Sequence, residues 1–282
     1  MFHAVVIPTR GRQESCRATV ASVLRQTVAP HQVIVSAVDL ADWGENAVDS
    51  RVQIILGDKG LTRQRNRGIA ALDAKCEIVT MLDDDVELPE DYFEAVHRLF
   101  TKRPDVALCF GAVRDAPGAS REDARQIITR WPPSDEFKEG AYGLGCSMNI
   151  RRKVLDHINF DERLPLYGWL EDADFAARAR PFGLQGVYNA CRTVHLLEQK
   201  MRLSGVRFGY SQVMNPYYLW RKGSIPFKEV LMSHWFKGMA SNLLGAIRRD
   251  PSIDRWGRLR GSVLAIWFIV LGRVEPEFVE RL

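Results

Sequence analysis

Short apolar runs separated by polar stretches dominate the first third of the chain. Four runs are rich in Val and Ile and are bounded by polar or turn-forming residues, which is typical of buried β-strands. They are residues 3–8, 32–38, 52–57 and 77–82. Three stretches between them have helical periodicity, namely residues 12–27, 61–74 and 89–104.

This alternation of strands and helices with short connections predicts an α/β fold, a mostly parallel sheet with helices on both faces. In such sheets ligands bind beyond the carboxyl ends of the strands. We therefore expect three strand ends to lie on one edge. They are Pro8-Thr9-Arg10, Val38-Asp39 and Asp83-Asp84-Asp85.

The pattern changes twice further along. After residue 111 the chain is rich in turn residues and predicts a long loop region around one helix at 121–131. An extended run at 144–152 and a helix at 170–183 follow. From about residue 200 the helical stretches are amphipathic and basic at their ends. We predict two domains, 1–200 and 201–282.

Composition narrows the class of protein. The 282 residues are 26% charged with a net charge of +4, which is too small to argue for nucleic acid. The five cysteines are scattered, odd in number and without a CxxC pair, which argues against a disulfide framework and a zinc site. The longest apolar stretch, 262–272, is too short to cross a bilayer, which takes about 20 residues. We see no signal peptide and expect a cytoplasmic protein.

Three consecutive carboxylates, Asp83, Asp84 and Asp85, follow an apolar strand. Alternation along an extended chain points Asp83 and Asp85 one way and Asp84 the other. A hard cation such as Mg²⁺ or Mn²⁺ would relieve their repulsion. Capping of the helix at 89–104 is the alternative, but it accounts for one or two acids rather than three.

A second acidic pair, Glu171-Asp172, follows Tyr167 and Trp169. Acids that begin a helix can simply complement its dipole. An aromatic wall beside a carboxylate can instead bind a sugar ring or raise the carboxylate pKa for general-base work.

Two further candidates are basic. The stretch LTRQRNRG at 61–68 is either a solvated helix face or a clamp on a diphosphate, with Arg65 and Asn66 toward the ligand. His195 is a structural residue unless the fold brings it near the acidic strand end, where a neutral imidazole can complete a metal shell.

The order of these motifs resembles the family 2 glycosyltransferases, inverting enzymes with the A-type nucleotide-sugar fold. The resemblance covers about residues 3–200. Its motifs are VVIPTRGR, SVLRQT, LTRQRNRG, MLDDDVELPEDYF, GCSMNIRR, FDERL and GWLEDADFAAR.

The resemblance implies roles for individual residues. Asp85 would ligate a divalent metal, Mn²⁺ or Mg²⁺, with His195 as a further contact, and Asp172 would be the catalytic base. Trp169 and Glu171 would bind the acceptor. The nucleotide sugar would contact Pro8, Thr9, Arg10, Asp39, Arg65, Asp83 and Asp84.

One departure from the family concerns the second strand. The family usually ends this strand with one or two Asp residues, whereas Ser36-Ala37-Val38 stands here and Asp39 comes slightly later. The resemblance therefore implies a nucleoside diphosphate donor, UDP-sugar favoured, without deciding the base.

We expect transfer of a hexosyl group to a glycan or lipid-linked acceptor, in polysaccharide or cell-envelope synthesis. An aspartate-nucleophile phosphatase, with Asp83 attacking and Asp85 as acid, would leave LTRQRNRG and GWLED unexplained. A nucleotidyltransferase would need a Gly-rich triphosphate loop, and this sequence has none near its first strand. A non-catalytic sugar-nucleotide-binding protein would not need both acidic sites.

The C-terminal region interleaves aromatic and basic residues. They are Trp235, Phe236, Trp256, Trp267 and Phe268 with Lys237, Arg248, Arg249, Arg255, Arg258 and Arg260. This pattern fits peripheral contact with an anionic membrane surface at the inner face of the cell membrane. Packing on the catalytic domain or in a homo-oligomer is the alternative.

Overall fold

The computed structural model describes residues 1–44, 49–198, 204–248 and 253–282. The chain divides into two compact units. The first consists of Met1–Lys59, Arg63–Asn159 and Arg178–Lys200, and the second of Gly60–Thr62, Phe160–Ala177 and Met201–Leu282. By compactness, 160–177 therefore belongs with the C-terminal residues, while the functional division at residue 200 stays a proposal.

The first unit contains the sheet. Its strands in the described residues are β1 (His3–Thr9), β2 (Gln32–Ala37), β3 (Val52–Leu56), β4 (Ile78–Leu82), β5 (Val86–Glu87), β6 (Val106–Asp115), β7 (Phe137–Glu139), β8 (Ser147–Arg151) and β9 (Leu184–His195). The four predicted strands of the first third are all present, each within a residue of its predicted bounds.

The strand order is β3-β2-β1-β4-β8-β6-β9-β5, with β7 beside β9. The first four strands are parallel, as predicted. β8 runs antiparallel between β4 and β6, and β5 runs antiparallel to β9, so the sheet as a whole is mixed. An antiparallel strand needs no crossover helix to connect it to its neighbour. The loop-rich region after residue 111 can therefore supply β8. The α/β class is confirmed.

Helices cover both faces of the sheet. Those before residue 160 are α1 (Gln13–Leu24), α2 (Leu61–Ala70), α3 (Tyr92–Lys102), α4 (Arg121–Thr129) and α5 (Arg152–Leu155). Helix α1 lies within the predicted range 12–27, and its Cys16, Val20 and Val23 are all buried in the main core, at the spacing of one helix face. Strands covered on both faces read as continuous apolar runs, which is why β1, β2 and β4 were predictable.

The region expected to be loop contains the end of β6 and all of β7, and the long strand β9 was not predicted. Polar residues interrupt β9 at Asn189, Arg192 and Thr193, so it has neither a continuous apolar run nor regular alternation. The helix predicted at 170–183 is α6 (Glu171–Ala179), followed by a 3₁₀ turn that ends at Gly183 with φ of +146°. Glycine tolerates this backbone conformation at little cost.

The second unit is helical. After α6 come α7 (Gly205–Lys222), α8 (Phe227–Glu229), a π-helical segment (Val230–Phe236), α9 (Lys237–Ile247) and α10 (Arg255–Val270). Helices α7 and α10 pack closely because glycines line their contact. A Cβ on Gly209 would lie 1.9 Å from the Arg258 carbonyl oxygen, and one on Gly261 would lie 2.0 Å from that of Val206. Among the described helices, none is both long and apolar enough to span a membrane.

Candidate functional site

The aspartate triplet occupies the turn between β4 and β5. β4 is buried between β1 and β8, and the Asp83 amide donates to the Cys146 carbonyl oxygen at 3.2 Å as the strand ends. Strand β5 then pairs with β9 rather than continuing along β8. The chain thus bends at the carboxyl edge of the parallel strands, which is where the sequence predicted the ligand-binding edge.

Three potential metal ligands converge at this turn. Single ligand atoms of Asp83, Asp85 and His195 all lie within 4.8 Å of one another. His195 Nε2 is 3.2 Å from Asp85 Oδ1 and 4.0 Å from Asp83 Oδ2. The β5–β9 ladder produces this meeting, because it pairs Val86 with His195. Two carboxylates and an imidazole form a donor set that is compatible with a divalent metal.

The other ring nitrogen of His195 faces a further carboxylate. Nδ1 is 3.3 Å from Asp115 Oδ1 at the end of β6. Metal-binding histidines commonly have such a partner, which holds the ring orientation and raises the basicity of the ligating nitrogen. The sequence prediction did not include Asp115. Its only signal is an acid at the end of an apolar run, and the residue itself lies after residue 111, where a loop was predicted.

Asp85 and His195 shift each other's pKa in opposite directions. Burial alone would raise the pKa of Asp85, but the hydrogen bond from His195 and the charge of Arg12 outweigh it and lower the pKa. Burial opposes protonation of His195, yet the hydrogen bond to Asp85 raises the pKa of this imidazole to about 11. The pair therefore resembles an ion pair, and a metal that binds here would displace the proton of His195.

Asp84 is not among these three potential ligands, and it lies in a turn rather than an extended segment, so strand alternation does not describe it. It is fully buried and accepts a hydrogen bond from Thr9 Oγ1 at 2.7 Å. Burial raises its pKa to about 7, against the opposing charge of Arg12. Its backbone carbonyl accepts from Ser15 and Thr19 of α1 at 3.0 and 2.8 Å. The end of β1 and the start of α1 therefore hold the turn in place.

Arg12 joins the two buried acids. Its guanidinium lies 2.6 Å from Asp84 Oδ1 and 2.8 Å from Asp85 Oδ2. The sequence analysis quoted this arginine within VVIPTRGR but gave it no role. Its neighbour Arg10, which was predicted to contact the nucleotide sugar, is exposed.

Arg65 lies against the third acid. It is fully buried, and its Nη2 donates to Asp83 Oδ1 at 3.1 Å and to the Gly145 carbonyl oxygen at 2.9 Å. The basic stretch of α2 is thus no solvated face at this position. Arg67 supports the fold, because its Nη2 donates to the Ala37 carbonyl at 2.9 Å where β2 ends.

The backbone after His195 also contacts Asp85. The Glu198 amide donates to Asp85 Oδ2 at 3.0 Å, and the Leu196 amide donates to the Asp85 carbonyl at 2.9 Å. Between them Leu197 has φ of +53°, which is uncommon for a branched side chain. Strain of this kind often accompanies a functional site.

Asp39, which was predicted to contact the nucleotide sugar, has a structural role at the end of β2. The Asp39 carboxylate accepts a hydrogen bond from the Ala41 amide and caps the 3₁₀ turn Leu40–Asp42. Asp39 itself is exposed. Asp42 is buried and accepts from the Gly11 amide at 2.5 Å and from the Val38 amide at 3.0 Å. Asp42 therefore ties the ends of β1 and β2 together. Pro8 is buried within β1.

The second acidic pair lies in the second unit, at the start of α6. Glu171 is buried, Asp172 is half-buried, and the Ala173 amide donates to Asp172 Oδ1 at 2.8 Å. The preceding loop has positive φ at Leu166, Gly168 and Leu170. Such a concentration of left-handed residues is rare outside binding and catalytic loops.

Aromatic rings accompany this loop. Trp169 packs against Phe208 at 5.3 Å between centroids, and Tyr167 stacks on Trp169 at 6.3 Å. Arg258 lies over the Phe208 ring at 4.1 Å. Tyr167 and Trp169 therefore pack together with a third ring, Phe208, that the sequence did not indicate.

Comparison with known proteins agrees with this geometry. The chain matches the family model described as Glycosyl transferase family 2 over residues 4–155. No curated protein sequence matches it. The family match includes the aspartate triplet, and it ends before Asp172 and His195.

Two solved structures illustrate the shared fold. S. aureus TarS 1–349 in complex with UDP-GlcNAc is 14% identical, with 78% of this chain and 67% of that chain covered and a TM-score of 0.55. GalNAc-T7 with UDP, GalNAc and Mn²⁺ is also 14% identical, with 70% and 43% covered and a TM-score of 0.52. The chain thus spans about two thirds of the length of one structure and less than half of the other. Because the family model matches more than half of the 282 residues, the protein is a member of glycosyl transferase family 2.

Proposed function

We propose that the protein is a metal-dependent inverting glycosyltransferase of the hexosyl class. It would move a sugar from a nucleoside diphosphate donor, with UDP-sugar favoured, to a hydroxyl of a glycan or lipid-linked acceptor. Polysaccharide or cell-envelope synthesis is the proposed pathway class. The observation that carries this proposal is the convergence of Asp83, Asp85 and His195 within 4.8 Å at the carboxyl edge of the sheet.

The proposed donor rests on the family and on the fold. One similar structure is described in complex with UDP-GlcNAc and another with UDP and Mn²⁺. These ligands belong to those proteins, and they favour UDP and a divalent metal here. Asp83, Asp85 and His195 would hold the metal. When bound, a divalent cation neutralises the charge that grows on the leaving diphosphate.

The surrounding residues would prepare this edge before the donor arrives. Arg65 is buried against Asp83, and Arg12 bridges Asp84 and Asp85, so the carboxylates are held at fixed positions. Asp84, oriented by Thr9, is proposed to contact the sugar nucleotide, together with Pro8, Arg10 and Asp39. A site already organised in this way spends little binding energy on ordering its own groups.

Asp172 is proposed as the catalytic base. Its carboxylate would take the proton from the acceptor hydroxyl while that oxygen forms a bond to the anomeric carbon. The bond from that carbon to the diphosphate oxygen would break on the opposite face, so the configuration inverts. Glu171 and Trp169 are proposed to bind the acceptor, and the rings of Tyr167 and Phe208 beside Trp169 support a sugar-binding surface.

A donor panel tests the proposal. We would measure nucleoside diphosphate release from UDP-, GDP- and dTDP-sugars with Mn²⁺, Mg²⁺ or EDTA. The proteins compared would be the wild type, Asp85→Ala and the exposed control Asp73→Ala. We expect release from one donor that requires metal, is lost in Asp85→Ala and is unchanged in the control.

Two results would count against the proposal. Release unaffected by EDTA would remove the metal role, and failure of every sugar nucleotide to bind in calorimetry would remove the donor class. Phosphate release from a simple phosphomonoester would favour the phosphatase alternative instead.

A further inference from the structure

The outward side of helix α9 is apolar where a water-facing helix is usually polar. Phe236, Leu244 and Ile247 have exposed fractions of 70%, 54% and 67%. Their spacing of eight and three residues places them on one stripe of the helix. Helix α10 has a similar exposed stripe of Val263, Trp267 and Val270, spaced by four and three residues. Exposed apolar surface on this scale marks an interaction surface.

A groove follows the α9 stripe. It has a volume of about 640 Å³ and combines the apolar side chains of Phe236 and Leu244 with three basic ones, Lys237, Arg248 and Arg255. Small residues, Ala240, Ser241 and Gly245, form its remaining wall. None of the described residues that line the groove is acidic. The groove therefore suits a ligand that is anionic at one end and apolar at the other.

Buried polar contacts hold the groove in shape. Arg255 Nη1 donates to Asn242 Oδ1 at 3.2 Å, and Asn242, which is buried, donates to Gln212 of α7 at 2.8 Å. A Cβ on Gly245 would lie 2.7 Å from the Arg255 Nε atom, so the glycine admits this arginine to the helix contact. The cation at the end of the groove is thus positioned by the fold of the second unit.

The charge around the groove indicates which kind of partner can bind there. Over residues 228–260 of the sequence, the acidic residues are Glu229, Asp250 and Asp254, and Asp254 caps α10 through the Gly257 amide. Seven residues are basic, namely Lys228, Lys237, Arg248, Arg249, Arg255, Arg258 and Arg260. A second copy of this chain would bring the same cations together in a two-fold contact, which repulsion opposes. An anionic lipid surface is complementary to both the charge and the apolar stripe.

We propose that the groove and the α9 stripe form a docking surface for an anionic phospholipid bilayer, with a lipid phosphate at Lys237, Arg248 and Arg255 and the side chains of Phe236, Leu244 and Ile247 in the acyl boundary. The surface is independent of the proposed glycosyl transfer, because it needs neither donor nor metal.

Vesicle sedimentation of the full chain tests this surface. Phosphatidylcholine vesicles would be compared with the same vesicles containing phosphatidylglycerol, without sugar nucleotide. The variants are Lys237→Gln/Arg248→Gln and Phe236→Ser. The matched control is Lys75→Gln/Lys153→Gln, which removes two exposed charges from the first unit. Thermal unfolding and donor release without vesicles verify that each variant is folded.

We expect binding only to the anionic vesicles, weakened by added salt. Each basic side chain near an anionic leaflet contributes roughly five-fold, so the double groove variant should lose at least ten-fold and the control little. Phe236→Ser should also weaken binding. Absence of binding, or equal loss in the groove variant and the control, would overturn the proposal. A wild-type dimer that Phe236→Ser dissociates would assign the surface to self-association instead.

Discussion

Arg12 is the single side chain on which the acidic turn depends most. It neutralises two buried carboxylates that would otherwise face each other across the turn, Asp84 and Asp85. A buried charge without a partner lowers the free energy of unfolding. A counterion that is partly exposed contributes less to that free energy than a fully buried one. Arg12 is 24% exposed at its side chain, which places it between these limits.

We therefore expect Arg12→Gln to lower the free energy of unfolding by about 1–3 kcal/mol. Urea unfolding followed by circular dichroism would measure the change. The control is Arg10→Gln, two residues away and exposed, which should stay within about 0.5 kcal/mol of the wild type. Equal stability of the two variants would show that the turn does not need the Arg12 charge.

Asp115 acts at the same scale through His195. Because it faces the Nδ1 atom of His195 at 3.3 Å, we expect Asp115→Asn to weaken Mn²⁺ binding about ten-fold without removing a ligand. Electron paramagnetic resonance of free Mn²⁺ would measure the affinity. Asp105→Asn, just before the other end of β6, is the matched control. Loss of affinity in both variants alike would remove the specific role of Asp115.

At the scale of elements, α6 separates two acids that the sequence places side by side. Asp172 is half-buried, whereas Asp174 is fully buried, accepts from Ser224 Oγ at 2.6 Å and lies 2.8 Å from Lys222 Nζ. Lys222 also contacts Asp161 at 2.6 Å. Asp174 therefore fastens α6 to the end of α7, whereas the half-buried Asp172 carboxylate accepts from the Ala173 amide at the start of the helix.

The two positions should respond oppositely to the same substitution. We expect Asp172→Asn to reduce transfer by a factor of about 10²–10⁴ with little change in stability. Asp174→Asn should lower the free energy of unfolding by about 2 kcal/mol, since it leaves Lys222 with less compensation. Turnover assays and urea unfolding on both variants measure this. Full turnover in Asp172→Asn would exclude it as the base.

At the scale of the whole molecule, we expect the free energy of unfolding to depend on pH through a buried histidine of the sheet. His3 is buried in β1, with Nε2 2.7 Å from Thr80 Oγ1 and Nδ1 3.1 Å from His97 Nε2. Burial, followed by the charges of His97 and His31, lowers the pKa of His3 well below 6.5. The folded protein therefore holds this proton more weakly than the unfolded chain does.

The sign of the effect follows. The contribution of neutral His3 is complete above pH 6.5 and is lost as the pH falls toward its folded pKa, at up to about 1.4 kcal/mol per pH unit. We expect His3→Gln to flatten the decline of stability below pH 6.5, and the exposed control His157→Gln to preserve it. Urea unfolding above and below this pH measures both slopes. An unchanged slope in His3→Gln would contradict the assignment.

Local physical chemistry was sufficient for part of this structure. Strands β1 to β4 and the inner face of α1 follow from residue periodicity alone, because continuous burial and helical spacing leave a direct trace in the chain. The order of the motifs along the chain was sufficient to indicate the family.

The partners of these residues required the tertiary structure. His195 meets Asp85 only because β5 pairs with β9 in one register, and Asp115 reaches the ring because β6 lies beside β9. Arg12 and Arg65 reach the acids from two other elements. Strand register and the return of distant segments depend on packing across the whole sheet, which short-range periodicity does not encode. The sequence thus determined which side chains were available for chemistry, and the fold decided which of them share a site.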